Sequence, residues 1–331
     1  IPASAIPARQ SVHAAGRAVG PRPLGRCVEV DQTGYAIVIT GGEFEICMDP
    51  RTGVITSWEA HGLDLIESGP ELQVWRAPTD NDVWIAGKWR EVGLDHLETH
   101  VYDVRVLERG PDRAVVEIPY IFAANARVPA FRCTATYTID RSGEVLLEEH
   151  VVPTLEIETL PRLGVQMMLP EMLNRVTWYG RGPHENYVDR KESGRIGRWS
   201  AHVDALQVPY IMPQENGGRT DVLWAALTDD HGRGLLAMAE GSMTMTASRY
   251  TTEMLTQAKH TYELEPCGGI VLTLDHGVCG LGSASCGPRP LDKYLLRPAE
   301  TTFRYRLRPI LLERMDPMTL CRLGPGELPT R

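Results

Sequence analysis

The sequence lacks the features of a membrane protein or a nucleic-acid-binding protein. No apolar run approaches the roughly 18 residues that a membrane-spanning helix needs. Positive charge is not in excess: 34 Lys and Arg stand against 43 Asp and Glu, a formal net charge of −9. A surface with that balance disfavours non-specific binding to phosphate backbones and anionic lipids. We therefore expect neither a nucleic-acid partner nor a membrane partner.

Paired cysteine motifs are also missing. The 331 residues include seven cysteines at irregular spacings, and no CxxC pair occurs. This argues against a zinc knuckle, and an odd count in a chain of this length is typical of free thiols in a reducing compartment. We expect a cytoplasmic protein.

Several motifs that carry chemistry are absent as well. The glycine-rich stretch "DHGVCGLGSASCGP" (275–288) has neither the GxxxxGKS/T pattern nor a following helix, so it is not a phosphate loop. Asp275 and His276 supply two potential metal ligands, and the sequence signals no third. There is no nucleophile elbow and no Ser-His-Asp spacing. We expect no cofactor in this chain.

Short strand-like stretches dominate the chain from Cys27 onwards. Alternating and β-branched residues predict ten or more strands, and turn signals predict hairpins over 43–60 and 131–152. Long helical periodicity is nearly absent. One short helix is predicted over 252–260, with Thr251 or Thr252 as its cap. The pattern indicates an all-β fold, a large antiparallel sandwich.

The two ends of the chain differ in composition from the middle. Residues 1–26 are rich in Ala, Pro and Arg and lack the apolar core of a signal peptide, which predicts a linker or disordered leader. Because the sequence begins with Ile1 rather than Met, we expect further sequence before it. The β domain is predicted over 27–310, followed by a poorly ordered tail over 311–331.

The stretch "WRAPTDNDVW" (75–84) is the first candidate site. It places Asp80, Asn81 and Asp82 between aromatic rings, as in a sugar-binding cleft. The alternative is a tight turn whose side chains bond to nearby backbone N–H groups. A retaining glycosidase needs two carboxyls about 5–5.5 Å apart in environments that separate their pKa values. Asp80 and Asp82 share one short turn, which gives no reason for such a separation.

Three long stretches occur in a recognisable order. They are "LQVWRAPTDND" (72–82), "WYGRGPHENYVDRKESGRIGRW" (178–199) and "VPYIMPQENGGRTDVLWAAL" (208–227). Together they resemble the C-terminal domain, or small chain, of the large bacterial β-galactosidases, over roughly 27–310. The resemblance implies a β-supersandwich, the fold shared with galactose mutarotase, and a part in the hydrolysis of terminal β-D-galactosides such as lactose.

The resemblance also implies a partner. In this family, the two catalytic glutamates and a magnesium ion belong to a barrel in preceding domains or in a separate large subunit. None of that barrel is present in this sequence. We therefore expect no catalytic residue in this chain, an inactive isolated chain, and association with a large catalytic subunit or with missing N-terminal domains.

The resemblance further implies where the galactoside lies. In the family, the segment after the first motif, here 83–87, is mobile and borders the active site. Many relatives carry a sugar-stacking Trp in the glycine-rich loop, at or next to the position of Cys286, where this chain has no aromatic residue. Trp84 and Trp89 are the nearest substitutes. The predicted cleft wall consists of Asp80, Asn81, Asp82, Trp84 and Cys286.

Two other functions remain open at this point. One is a stand-alone carbohydrate-binding module without a catalytic partner. The other is a mutarotase-like sugar epimerase, in which His184 and Glu185 of "GPHENY" would be the acid–base pair. A hydrogen-bonded cluster that fixes a loop would explain the same residues, and the same holds for "PQENG" (213–217).

Overall fold

Antiparallel strands account for most of the fold. The computed structural model describes residues 27–324, and the predicted leader at 1–26 lies outside this range. Eighteen strands are present in the described residues. In chain order they are β1 Glu29–Gln32, β2 Ile37–Thr40, β3 Phe44–Met48, β4 Ile55–Ala60, β5 Leu63–Ile66, β6 Ser68–Gln73, β7 Leu97–Val101, β8 Arg105–Arg109, β9 Arg113–Ala124, β10 Phe131–Asp140, β11 Val145–Pro153, β12 Arg162–Pro170, β13 Arg175–Gly182, β14 Arg195–His202, β15 Arg219–Thr228, β16 Arg233–Ser248, β17 Gly269–Val278 and β18 Thr301–Leu311.

Strands β1 to β5 form a small antiparallel meander. The predicted hairpin over 43–60 is its centre, with Phe44 opposite Ala60 at the open end. At the turn, the Asp49 carboxylate accepts from the Arg51 backbone N–H at 2.8 Å, and Gly53 has a φ of +67°. Glycine adopts that backbone conformation without strain. Strand β6 continues from this meander into the larger sheet, where it pairs with β12.

The larger sheet has two arms that meet at β16. One arm runs β9–β10–β11–β18–β16, with the predicted hairpin over 131–152 formed by β10 and β11. The other runs β6–β12–β17–β16. Residues 233–239 of β16 pair with β18, and residues 244–248 pair with β17. One continuous strand therefore joins both arms, and the segments preceding β12 and β15 come close to β17.

The core follows from alternation along the strands. In β10 the inward positions Phe131, Cys133, Ala135, Tyr137 and Ile139 are all buried, and the intervening residues are more exposed. A period of two is expected where one face of a strand packs against a core. The prediction of an all-β, mostly antiparallel fold is confirmed.

Helices are few and short in the described range. They are α1 Ala86–Glu91, α2 Thr252–Gln257 and α3 Pro317–Arg322, and short 3-10 turns lie at Asp80–Trp84, Leu94–His96, Val203–Leu206, Thr261–Glu263 and Asp292–Tyr294. Helix α2 was predicted, and its cap is Thr251, whose hydroxyl accepts from the Met254 N–H at 3.2 Å. Among residues 27–324, no helix is long and apolar enough to cross a membrane.

The segment after Ile310 differs from its prediction. It was expected to be poorly ordered, but Asp316 caps helix α3 by accepting from the Thr319 N–H at 3.0 Å. Leu320 is buried beside Trp224 and Met238. The anchor is apolar contact, which the Pro, Gly and Arg content of the tail concealed.

Candidate functional site

Two of the predicted site segments are bonded to each other. The 3-10 turn at Asp80–Trp84 and the loop 282–289 lie side by side, and we call them the paired loops. The Asn81 side chain bridges them: its Nδ2 donates to the Gly282 carbonyl at 3.0 Å, and its Oδ1 accepts from Ser285 Oγ at 2.7 Å and Ser285 N at 3.1 Å. Residues about 200 positions apart in sequence therefore form one surface, with Cys286 exposed on it.

Asp82 is the anchor of this turn and does not reach the surface. Its side chain is 1 % exposed and pairs with Arg76, which is fully buried. Arg76 Nη2 lies 2.6 Å from Asp82 Oδ1, while Oδ2 accepts from the Thr79 N–H at 2.8 Å and the Thr79 hydroxyl at 3.1 Å. The prediction placed Asp82 in the cleft wall. In the structure its carboxylate is used within the turn, so it holds the wall in place without facing a ligand.

Asp80 behaves differently, since it is exposed. Its backbone N–H donates to Gln214 Oε1 at 3.1 Å, and Gln214 Nε2 donates to Asp80 Oδ2 at 3.3 Å. The "TDND" motif is thus tied to the "PQENG" motif. Asp80 and Asp82 occupy different environments, one at the surface and one in a buried ion pair, and the buried carboxylate is enclosed.

The two tryptophans expected near the site have separate roles. Trp84 is half-buried, with the Arg289 guanidinium 5.2 Å from its ring centroid. Trp89 is fully buried on helix α1, and its Nε1 donates to the Thr159 carbonyl at 2.8 Å. The prediction that both rings lie on an exposed, mobile loop is wrong for Trp89, because short-range apolar spacing did not reveal the helix. Among the described residues of the paired loops, Trp84 is the one aromatic ring.

Buried polar groups anchor the glycine-rich loop from behind. Arg76 Nη1 donates to the Cys279 carbonyl. The Gly282 N–H donates to Asp189 Oδ2 at 2.6 Å, which joins the loop to the segment after "GPHENY". The second long motif therefore supports the paired loops through Asp189, a residue that the sequence interpretation did not single out.

His184 and Glu185 do not form a pair. The His184 Nε2 lies 2.9 Å from Ser193 Oγ, at the surface. Glu185 accepts from the Gly217 N–H at 2.6 Å and the Tyr210 hydroxyl at 2.7 Å, and it also pairs with Arg190. Both residues thus fix loops, which is the structural alternative stated for them, and the geometry offers no epimerase-like acid and base here.

Sequence reasoning missed a buried charge cluster behind this region. Arg162, at the start of β12, places its Nη2 at 3.1 Å from both Glu215 Oε1 and Asp275 Oδ2. All three side chains are at most 4 % exposed. Burial raises the pKa of Asp275 to about 7, partly offset by the Arg162 charge. The only available signal was a charged residue inside each of two apolar strand patterns, which does not reveal which partners meet.

A resident metal is not indicated in this part of the chain. Within residues 27–324, no group of three or more His, Cys, Asp or Glu side chains is arranged to hold a metal ion. The magnesium expected for the family concerns the barrel, and the residues described here do not fit it. All seven cysteines fall in this range, and none is in a disulfide.

Comparison with known proteins agrees with the motifs. The family model "Beta galactosidase small chain" matches residues 40–307. The chain is 32% identical over 258 residues to the β-galactosidase of Priestia megaterium, covering 76% of this chain and 24% of that protein. It is 28% identical over 279 residues to the β-galactosidase of Actinobacillus pleuropneumoniae, covering 84% of this chain and 27% of that protein.

Solved structures with a related fold have much lower sequence identity. Galactose 1-epimerase from Lactobacillus acidophilus superposes with a TM-score of 0.42 at 9% identity, covering 86% of this chain and 99% of that one. The chain spans about a quarter of the length of the curated β-galactosidases that it matches. The match over 40–307 covers most of the domain described above, and the chain belongs to the β-galactosidase small chain family.

Proposed function

We propose that this chain completes one wall of the active-site cleft of a β-galactosidase that hydrolyses terminal β-D-galactosides such as lactose. The observation that carries the proposal is the Asn81 bridge, which joins the "TDND" turn to the 282–289 loop by three hydrogen bonds. These bonds build a single continuous surface from two distant segments in a member of this family.

The chemistry of the paired loops suits a sugar ring. Asp80 presents an exposed carboxylate, and Ser285 presents a hydroxyl already bonded to Asn81. Trp84 supplies an apolar face next to the Arg289 guanidinium. Binding sites for polar ligands typically combine a few placed polar groups with aromatic contact area. Cys286 is exposed where many relatives have an aromatic ring, so Trp84 takes over the contact with the sugar.

The catalytic acid and nucleophile come from the part of the enzyme that this sequence does not contain. The partner is a large catalytic subunit or the domains that precede this one, and the expected magnesium ion belongs there. Retaining hydrolysis needs two carboxyls facing one substrate. Asp82 and Glu215 are enclosed in ion pairs with Arg76 and Arg162, so neither faces a substrate.

A complementation assay tests the proposal. The catalytic part is assayed for aryl β-galactoside hydrolysis with and without this chain, and the chain is assayed alone. We expect no turnover by the chain alone and restored turnover with both parts. Turnover by the highly purified chain alone, or activity of the catalytic part unaffected by the chain, would contradict the proposal.

Asn81→Ala sharpens the same assay. It removes the three bonds between the paired loops, and we expect KM to rise about three- to tenfold with smaller change in kcat, from the ~1 kcal/mol that a net hydrogen bond contributes. The matched control is Asn174→Ala, a half-buried asparagine in the turn before β13. Equal KM values for the two variants would remove the paired loops from the cleft.

A further inference from the structure

A small depression opens between the two arms of the larger sheet, away from the paired loops. Its volume is about 300 Å³, at the lower end of the range for small-ligand sites. Most of its lining is hydroxyl or amide in character, with one ion pair and two apolar side chains. The residues that matter are Arg162, Glu215, Thr246, Leu255, Val271 and Thr273.

Two buried polar groups that line the depression have no partner. Arg162 is 2 % exposed, and its Nε makes no hydrogen bond within the described residues. Thr246 is 9 % exposed, and its hydroxyl is likewise unbonded there. Leaving a buried polar group unsatisfied costs about 1–3 kcal/mol, so native proteins keep such groups where a water or a ligand completes them.

The charge balance restricts the kind of ligand. Arg162 stands against the carboxylates of Glu215 and Asp275, so the ion pair leaves no net positive charge for a phosphate. A cation would meet the Arg162 guanidinium, and the described residues hold no group of three metal ligands. A neutral ligand is therefore favoured over an ionic one, since neither sign of charge is left uncompensated.

We propose that this depression binds one neutral sugar residue or a similar polyol, as a saccharide site distinct from the paired loops. The Arg162 Nε–H donates to a ligand hydroxyl oxygen, and the Thr246 hydroxyl exchanges a hydrogen bond with a second one. Leu255 and Val271 contact the C–H face of the ring. A polyol offers donors and acceptors on every carbon, which fits a mixed lining of this kind.

The site is separate from the catalytic wall although it lies close to it in sequence. Gln214 bonds to Asp80 at the paired loops, whereas the next residue, Glu215, reaches Arg162 in the depression. The proposal goes beyond the proposed function, because it needs no catalytic partner. Sugar binding by the chain alone and rescue of hydrolysis by the paired loops can therefore fail independently.

Saturation-transfer NMR on the complete chain tests the proposal, with D-galactose, D-glucose and inorganic phosphate as separate probes. We expect transfer to at least one of the two sugars and none to phosphate. Methyl shifts of Leu255 and Val271 should move on titration with that sugar. Absence of transfer to both sugars, or binding of phosphate at these methyl groups, would overturn it.

Thr246→Val removes the free hydroxyl while keeping the shape of the side chain. We expect sugar affinity to fall about five- to tenfold, as for loss of one hydrogen bond to a ligand. The control is Thr244→Val, two residues earlier on β16, buried as well but outside the depression. Equal affinities for the two variants, both folded by circular dichroism, would place the sugar elsewhere and refute the site.

Discussion

Replacement of Asp82 by Asn separates a structural role from a ligand-binding role at the "TDND" turn. Asp82 Oδ2 accepts from Arg76 Nε at 3.3 Å, the Thr79 N–H at 2.8 Å and the Thr79 hydroxyl at 3.1 Å. Oδ1 accepts from Arg76 Nη2 at 2.6 Å. Whichever oxygen becomes the amide nitrogen, a donor then faces a donor.

The size of the effect follows from burial. Arg76 is 0 % exposed, and Asp82→Asn leaves its charge without a counter-ion. Breaking a buried ion pair by removing one partner costs about 3–5 kcal/mol. Because 1 kcal/mol shifts Tm by roughly 2–4 °C in domains of 150–250 residues, we expect Tm to fall on the order of 10 °C.

The assay is thermal and urea unfolding followed by circular dichroism, with Asp80→Asn as the matched control. Asp80 is exposed, so the same substitution should change the free energy of unfolding by no more than about 0.5 kcal/mol. If Asp82→Asn unfolds like Asp80→Asn and instead weakens galactoside binding, Asp82 faces the ligand and our placement of it is wrong.

Three further outcomes are expected. Burial raises the pKa of Glu149 from 4.5 to about 8, so the folded chain keeps a proton that the unfolded chain releases, and stability should decline as pH rises from about 4.5 to 8. Glu149→Gln should flatten that decline in urea titrations at several pH values, whereas Glu148→Gln, at the surface, should leave it unchanged. Trp89→Ala should cost about 3–5 kcal/mol of unfolding free energy and half-buried Trp84→Ala clearly less, as judged by denaturant midpoints; equal losses would mean that Trp84 is a core residue too. Thr251→Ala should cost about 1 kcal/mol through the lost cap of α2, and a neutral result would contradict that role.

The fold could be predicted because it rests on local, periodic signals. Alternation over 131–139 and the turn residues Asp49 and Gly53 act within a few residues of one another, so they are legible in the sequence. Helix α1 was not predicted, since six residues are too short to show a helical period. Helix α3 was missed because Leu320 gains its stability from contact with the distant Trp224.

The site could be predicted only in part. The motifs indicated that 80–82 and the loop near Cys286 belong together, and the Asn81 bridge shows how. Burial decides the rest, and burial is a property of the whole fold. Asp82 and Trp89 have the residue types of a sugar cleft, yet Arg76 and Thr159 hold them inside.

The most direct measurement of the central claim is the alkylation rate of Cys286 in the assembled enzyme, with and without a competitive galactoside inhibitor. Cys286 is exposed beside Ser285 on the paired loops, and Cys27 is an exposed internal control. Mass spectrometry reports both rates in one sample. If the paired loops form a wall of the cleft, the inhibitor slows alkylation of Cys286 and leaves Cys27 unchanged. Equal rates for Cys286 with and without the inhibitor would contradict the account.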